Sequence, residues 1–98
     1  MPRTTGAPRP TGGVVTRFWP NGLAVDVTCD TLATPATVLL RGRRHPVARV
    51  VERWRIDEGW WQKRAWREYF QLITASGLLL LVFHDVRSGL WYLQRVYD

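Results

Sequence analysis

The chain has one cysteine, one lysine, two histidines and no long apolar run among its 98 residues. A single Cys29 excludes an internal disulfide and suits a reducing compartment. The longest apolar run, Leu78 to Phe83, is six residues, whereas a membrane-spanning helix needs about 20. The first residues lack the apolar stretch of a secretory signal. These shortages lead to the expectation of a cytoplasmic protein without a membrane segment.

Catalytic equipment is equally scarce. His45 and His84 stand alone and follow no metal-ligand spacing. Asp57 and Glu58 are adjacent and read as a solvated turn, not as a pair of carboxylates facing a substrate. No phosphate-cradling G-x-x-x-x-G-K-[ST] loop occurs. His84-Asp85 reads as a polar contact within the fold. The expectation is a protein that is not an enzyme and that uses no metal or cofactor.

What the chain does have is aromatic area and arginine. It carries six tryptophans and a formal charge of +6, and 13 of its 14 cationic residues are arginine. Arginine binds phosphate and carboxylate as a planar fork and stacks on aromatic rings, which suggests an anionic partner. Codon bias in a GC-rich or thermophilic genome is the other source of such a composition. Residues 1–13, MPRTTGAPRPTGG, hold three prolines, three glycines and no branched aliphatic or aromatic residue. They are expected to form a disordered tail, because they cannot bury enough apolar surface to offset the entropy of ordering. The remainder, 14–98, is long enough for a single small domain.

Within that domain the signals are those of strands. Pro20-Asn21-Gly22 separates two apolar-rich arms in Val14 to Thr28 and predicts a hairpin. Cys29 to Pro35 reads as a loop, Thr37 to Arg41 as a strand, and Gly42 to Pro46 as a basic turn. Val47 to Ile56 is ambiguous. Val47, Val50, Val51 and Trp54 fit helical spacing, while the β-branched content and the neighbouring segments favour a long bent strand. Asp57 to Gly59 predicts a turn, Trp66 to Thr74 a strand, and Ser76-Gly77 a tight turn. Leu78 to His84 is apolar on both faces, as in a strand covered on both sides. Leu90 to Tyr97 closes the series. The expected fold is mainly β: a small antiparallel barrel or strongly coiled meander of about five to seven strands, with one short helix near 47–55 as the alternative.

The stretch DEGWWQKRAWREYF (57–70) concentrates three indoles among cations. In an extended chain Trp60 and Trp61 point to opposite faces, as do Trp91 and Tyr92, so some rings lie outside a single core. Aromatic rings flanked by cations bind single-stranded nucleic acid, with bases stacked on the rings and phosphates held by the cations. The candidate contacts are Trp60, Trp61, Lys63, Arg64, Trp66 and Arg67, with Arg43 and Arg44 from the basic segment. The alternative is that the indoles stiffen a small core under arginine stems. Arg95 shares its predicted strand face with Trp91, Leu93 and Tyr97, a place for a stacked, ion-paired structural arginine or for a binding face.

Three segments, LLRGRRHPVARVVERWR (39–55), GWWQKRAWREYFQLIT (59–74) and SGLWYLQRVYD (88–98), resemble a small Trp-rich bacterial domain of unknown function. That domain occurs alone, or beside or at the end of Y-family DNA-polymerase-like proteins of the ImuB type. The likeness rests on Trp54-Arg55, Trp60-Trp61, Arg67-Glu68-Tyr69 and the closing Gly89, Trp91, Leu93, Arg95, Val96 and Asp98. It implies an association with DNA damage tolerance by translesion synthesis and supplies no catalytic residues. Two functions follow as expectations. One is an accessory module that contacts DNA. The other is a protein-interaction domain that docks on a polymerase-like partner or on itself as a homodimer.

Overall fold

The computed structural model describes residues 15–60 and 63–97, with the backbone alone for 15, 16, 58–60 and 63–65. The predicted tail, 1–13, lies outside the described residues, as does Trp61.

Six strands form one antiparallel ring: β1 (Val15–Cys29), β2 (Pro35–Leu40), β3 (Arg43–Trp60), β4 (Lys63–Thr74), β5 (Leu79–Asp85) and β6 (Trp91–Tyr97). Each pairs with its neighbours in sequence, and β1 closes the ring by pairing with β6. Closure works because β1 changes partner along its length. Residues 15–25 pair with β6, and residues 26–29 pair with β2. Among the described residues there is no helix, so the segment 47–56 is strand. It lies within β3 and is laddered to β4 from Val47↔Thr74 to Trp60↔Lys63. Register slips at Val47/Arg49 and Val50/Glu52 bend it. Those slips break strict alternation, which is why the valines there imitate helical spacing.

Three predicted turns are corrected. Pro20-Asn21-Gly22 does not reverse the chain. Phe18 pairs with Arg95 and Leu23 with Leu93, so both arms pair with β6 and not with each other. The intervening residues form a wide bulge inside β1, and Gly22 takes the positive φ of 84° that the bend needs. Arg43 to Pro46 is not a turn either. The reversal is made by Arg41 and Gly42, at φ 52° and 78°, and Arg43 and Arg44 already pair with Leu40 and Leu39. Asp57 to Gly59 continues β3, opposite Trp66, Ala65 and Arg64. Turn-forming residues there are outweighed by a ladder to β4 that runs without a slip from Glu52 to Trp60.

The core has two layers. All six strands send side chains to one cluster, the barrel interior, built on Val38, Phe70, Leu72, Leu80, Val82 and Leu93. The opposite face of β3–β6 carries a second cluster: Tyr69, Leu81 and Phe83, with Trp54, Ile56 and Tyr92 packed on it. Leu79 to Phe83 are all buried, so the two-sided burial expected of this strand is realised. Four rings of the second cluster are in direct cross-strand register, Trp54↔Tyr69↔Phe83↔Tyr92. Their centroids are 5.2, 5.3 and 5.1 Å apart. Offset aromatic neighbours at such spacings contribute about 0.5–1.5 kcal/mol each beyond their burial.

A register slip at Leu81/Val82 places Leu93 opposite Val82 and Arg95 opposite Leu81. Arg95 therefore does not share a face with Leu93, as strict alternation predicts. Its guanidinium lies 4.9 Å from the Phe18 ring centroid.

Candidate functional site

β3 and β4 are long, and they outrun the barrel. The last pair that β4 makes with β5 is Arg67↔Asp85, followed by one bond from the Val86 amide to the Trp66 carbonyl, 2.9 Å. From there outward, Asp57–Trp60 and Lys63–Trp66 form a two-stranded ribbon. Among the described residues, neither strand of this ribbon pairs with a third strand. Residues 53–67 hold five cations, Arg53, Arg55, Lys63, Arg64 and Arg67, against Asp57 and Glu58.

At the root of the ribbon the geometry is well defined. Trp66 is 36% exposed. Arg67 sits with its guanidinium 4.5 Å from the Phe83 ring centroid and donates to the Tyr69 hydroxyl at 3.3 Å. It is a cation held in place by the aromatic ladder beneath it. On the other face of the sheet, Glu68 accepts two bonds from Arg53, at 2.7 and 3.0 Å, and one from Arg55 at 3.5 Å. The carboxylate side chain is 14% exposed while the arginines are 46% and 59% exposed. Two cations thus share one anion, and Asp57 follows them along the same strand face. Arg53 also lies 5.1 Å from the Phe70 centroid. Trp91 stacks on His84 at 4.6 Å and tilts against Phe70 at 5.4 Å, so the mouth of the barrel is aromatic as well as basic.

The structure does not bring all eight candidate residues together. Trp66 and Arg67 stand at the root of the ribbon, and the backbone of Trp60 pairs with that of Lys63 at its end, with Arg64 alongside. Trp61 lies outside the described residues. Arg43 and Arg44 are at the opposite end of β3, separated from the ribbon by the length of the strand. Both are exposed, and among the described residues neither forms an ion pair. Sequence reasoning missed Arg53 and Arg55. The signal was available in the alternation of Arg53, Arg55 and Asp57 along one strand face.

None of the four described indoles is fully enclosed: Trp19, Trp54 and Trp91 are half-buried and Trp66 is exposed. Trp19 and Trp91 pack on the inner cluster and Trp54 on the outer one, and of these four only Trp66 counts as exposed. The paired aromatics at 91 and 92 divide as alternation requires, Trp91 on the inner cluster and Tyr92 on the outer one.

Among the described residues, no group of three or more His, Cys, Asp or Glu is placed to hold a metal ion, and no helix is long and apolar enough to cross a membrane. Cys29 is half-buried. Burial, then the negative charges of Asp30 and Glu68, push its thiol pKa up. The folded protein keeps the thiol proton at a pH where the unfolded chain has lost it. Stability therefore falls as pH rises through and above the ordinary thiol range. Cys29→Ser is expected to flatten that alkaline fall in urea-unfolding measurements. Native Cys29 should also react with a disulfide reagent more slowly than a free cysteine at neutral pH, because the thiolate is the nucleophile.

Comparison with family models, with curated proteins and with solved structures gives no match for this chain.

Proposed function

We propose that the protein is a non-enzymatic accessory module that binds single-stranded nucleic acid along the β3–β4 ribbon. The observation that carries this reading is the ribbon itself: a two-stranded extension beyond Arg67 that carries Lys63 and Arg64 against Asp57 and Glu58, with Arg53, Arg55 and Arg67 and the exposed Trp66 at its root. A base stacks on Trp66, and phosphates meet Arg67, Lys63 and Arg64, with Trp60 and Trp61 as further stacking positions. Stacking is sequence-tolerant and electrostatic contact is long-ranged, so the binding is general. The resemblance to domains beside ImuB-type polymerase-like proteins gives the proposal its setting, DNA damage tolerance in a bacterial cytoplasm.

Fluorescence anisotropy with labelled single-stranded oligonucleotides at low ionic strength tests this. Trp66→Ala is expected to weaken binding by about 5- to 150-fold, the worth of one stacked base. Lys63→Ala with Arg64→Ala should reduce the slope of log K against log salt by about 1.4, at about 0.7 for each phosphate of a single strand that is no longer neutralised. Absence of binding at low salt, or affinities unchanged in all these variants, would overturn the reading.

One observation favours a second reading. Among the described residues, β3 from Val47 to Trp60 has no strand on the side away from β4. Such an edge accepts an added strand from a partner, either a polymerase-like protein or a second copy of this chain. A complex that survives nuclease treatment, or a dimer by light scattering, would select this alternative.

A further inference from the structure

Where β1 leaves β6 and joins β2, the sheet opens. A cavity of about 400 Å³ lies there, lined by Val25, Asp26, Leu39, Arg41, Leu90 and Trp91 among others. A second hollow, about 270 Å³, adjoins it through Asp26 and Leu39 and ends at Arg44. The register explains the arrangement. Asp26 pairs with Leu39, and Leu39 pairs with Arg44, so a carboxylate, an apolar floor and a guanidinium lie in one row across three strands. With strands about 4.8 Å apart, the backbones at Asp26 and Arg44 are about 10 Å apart, and their side chains form no ion pair. Among the described residues Asp26, Arg41 and Arg44 have no hydrogen-bonding or ionic partner from their side chains. Leu90 is 55% exposed at the rim, and Trp91, whose ring packs on the inner cluster, bounds the hollow from the interior side.

This site is apart from the ribbon and uses none of its residues. Its volume falls near the lower end of the range for small-ligand sites. A flat apolar-aromatic body, an anionic group and a pair of hydrogen-bond donors would satisfy it together. An ionised carboxylate only accepts hydrogen bonds. Among the common bases, guanine alone offers a carboxylate two adjacent donors on one edge, the ring N1–H and the exocyclic amine.

We propose that this groove is a nucleotide pocket with a preference for guanine. The base lies on Leu39 beside Leu90 and donates N1–H and N2–H to Asp26, while its phosphate meets Arg41 and Arg44. The inference deepens the nucleic-acid reading, because it adds one specific position to a surface that otherwise binds any sequence. It also gives a role to Arg44, which the ribbon cannot use.

The probes are a short thymidine oligonucleotide with one central guanosine, the same strand with adenosine or cytidine there, and free guanosine 5′-monophosphate. The native protein should bind the guanosine strand about 5- to 150-fold more tightly than the other two, the discrimination typical of a two-bond base contact. Asp26→Asn should abolish that preference while leaving affinity for the adenosine and cytidine strands unchanged. Arg41→Ala with Arg44→Ala should weaken the mononucleotide, read by the shift of amide NMR signals at residues 24–26 and 39–42. Equal affinity for all strands in the native protein, or a preference that survives Asp26→Asn, overturns the pocket and leaves ribbon binding standing. If no strand binds, the ribbon reading fails, and the mononucleotide decides the pocket alone: shifts with guanosine but not adenosine monophosphate support it, and no shifts sink it. Both variants lie on the surface, and their urea-unfolding midpoints confirm that they fold.

Discussion

Gly22→Ala is expected to destabilise the protein by about 2–5 kcal/mol. Two costs combine. The residue holds φ at 84°, where an L side chain is strained by about 1–2 kcal/mol. A Cβ there would also stand 2.6 Å from the Tyr92 Cβ and 3.0 Å from the Phe83 ring. Both neighbours belong to the aromatic ladder or its backbone root, so neither moves easily, and overpacking of this kind costs about 1–3 kcal/mol. Gly42→Ala provides the control. Its φ is 78°, but nothing lies within 4 Å of the added methyl, so strain alone acts. Urea unfolding of the two variants separates the terms. If both midpoints drop equally, the close approach of β1 to the ladder contributes nothing, and the account of the bulge as a packed element is wrong.

Phe83→Ala should cost about 3–5 kcal/mol, the usual range for emptying a buried phenylalanine site. Phe83 is 1% exposed and stands third in the four-ring ladder, touching Tyr69 on one side and Tyr92 on the other. It also carries the Arg67 guanidinium. The loss is large against the 5–15 kcal/mol that holds a typical domain together. It should bring a loss of near-ultraviolet circular dichroism and a modest weakening of oligonucleotide binding, because Arg67 loses its seat. Phe83→Leu fills part of the space without the ring stacking and should retain more than half of the lost stability. A cost below about 1 kcal/mol for Phe83→Ala would mean that the outer cluster is surface decoration and not a second core.

These two residues show how far local sequence reaches. Pro20-Asn21-Gly22 correctly demands a glycine with positive φ, yet the purpose of that glycine is invisible locally. A hairpin turn and a bulge need the same backbone angles. What separates them is whether the flanking arms pair with each other or with a third strand, here β6, about seventy residues further on. The same limit applies at Asp57 to Gly59. Its residues favour a turn, but a ladder already running from Val47 makes continuation cheaper than reversal, and the reversal moves beyond Trp60. Leu78 to Phe83 was legible for the opposite reason, since apolar residues on both faces are a local property with one structural consequence.

The candidate site divides along the same line. Trp66 and Arg67 were legible because exposed indoles beside cations are unusual in any fold. Arg43 and Arg44 look like parts of the same basic surface, but an 18-residue strand puts them at the other end of the molecule. The row of Asp26, Leu39 and Arg44 could not be seen at all, because it exists only across three strands whose register is set by long-range pairing.

Composition and alternation alone determined that the chain is an antiparallel β protein with more large aromatic rings than one small interior can enclose. They act through side-chain period and burial, which are local. Tertiary structure decided the rest: the partner switch of β1 that closes the ring, the second aromatic layer, the projecting ribbon and the groove at Asp26. Each depends on which distant strand supplies the hydrogen bonds and in what register, and that choice is made by the free energy of the whole assembly and not by any segment within it.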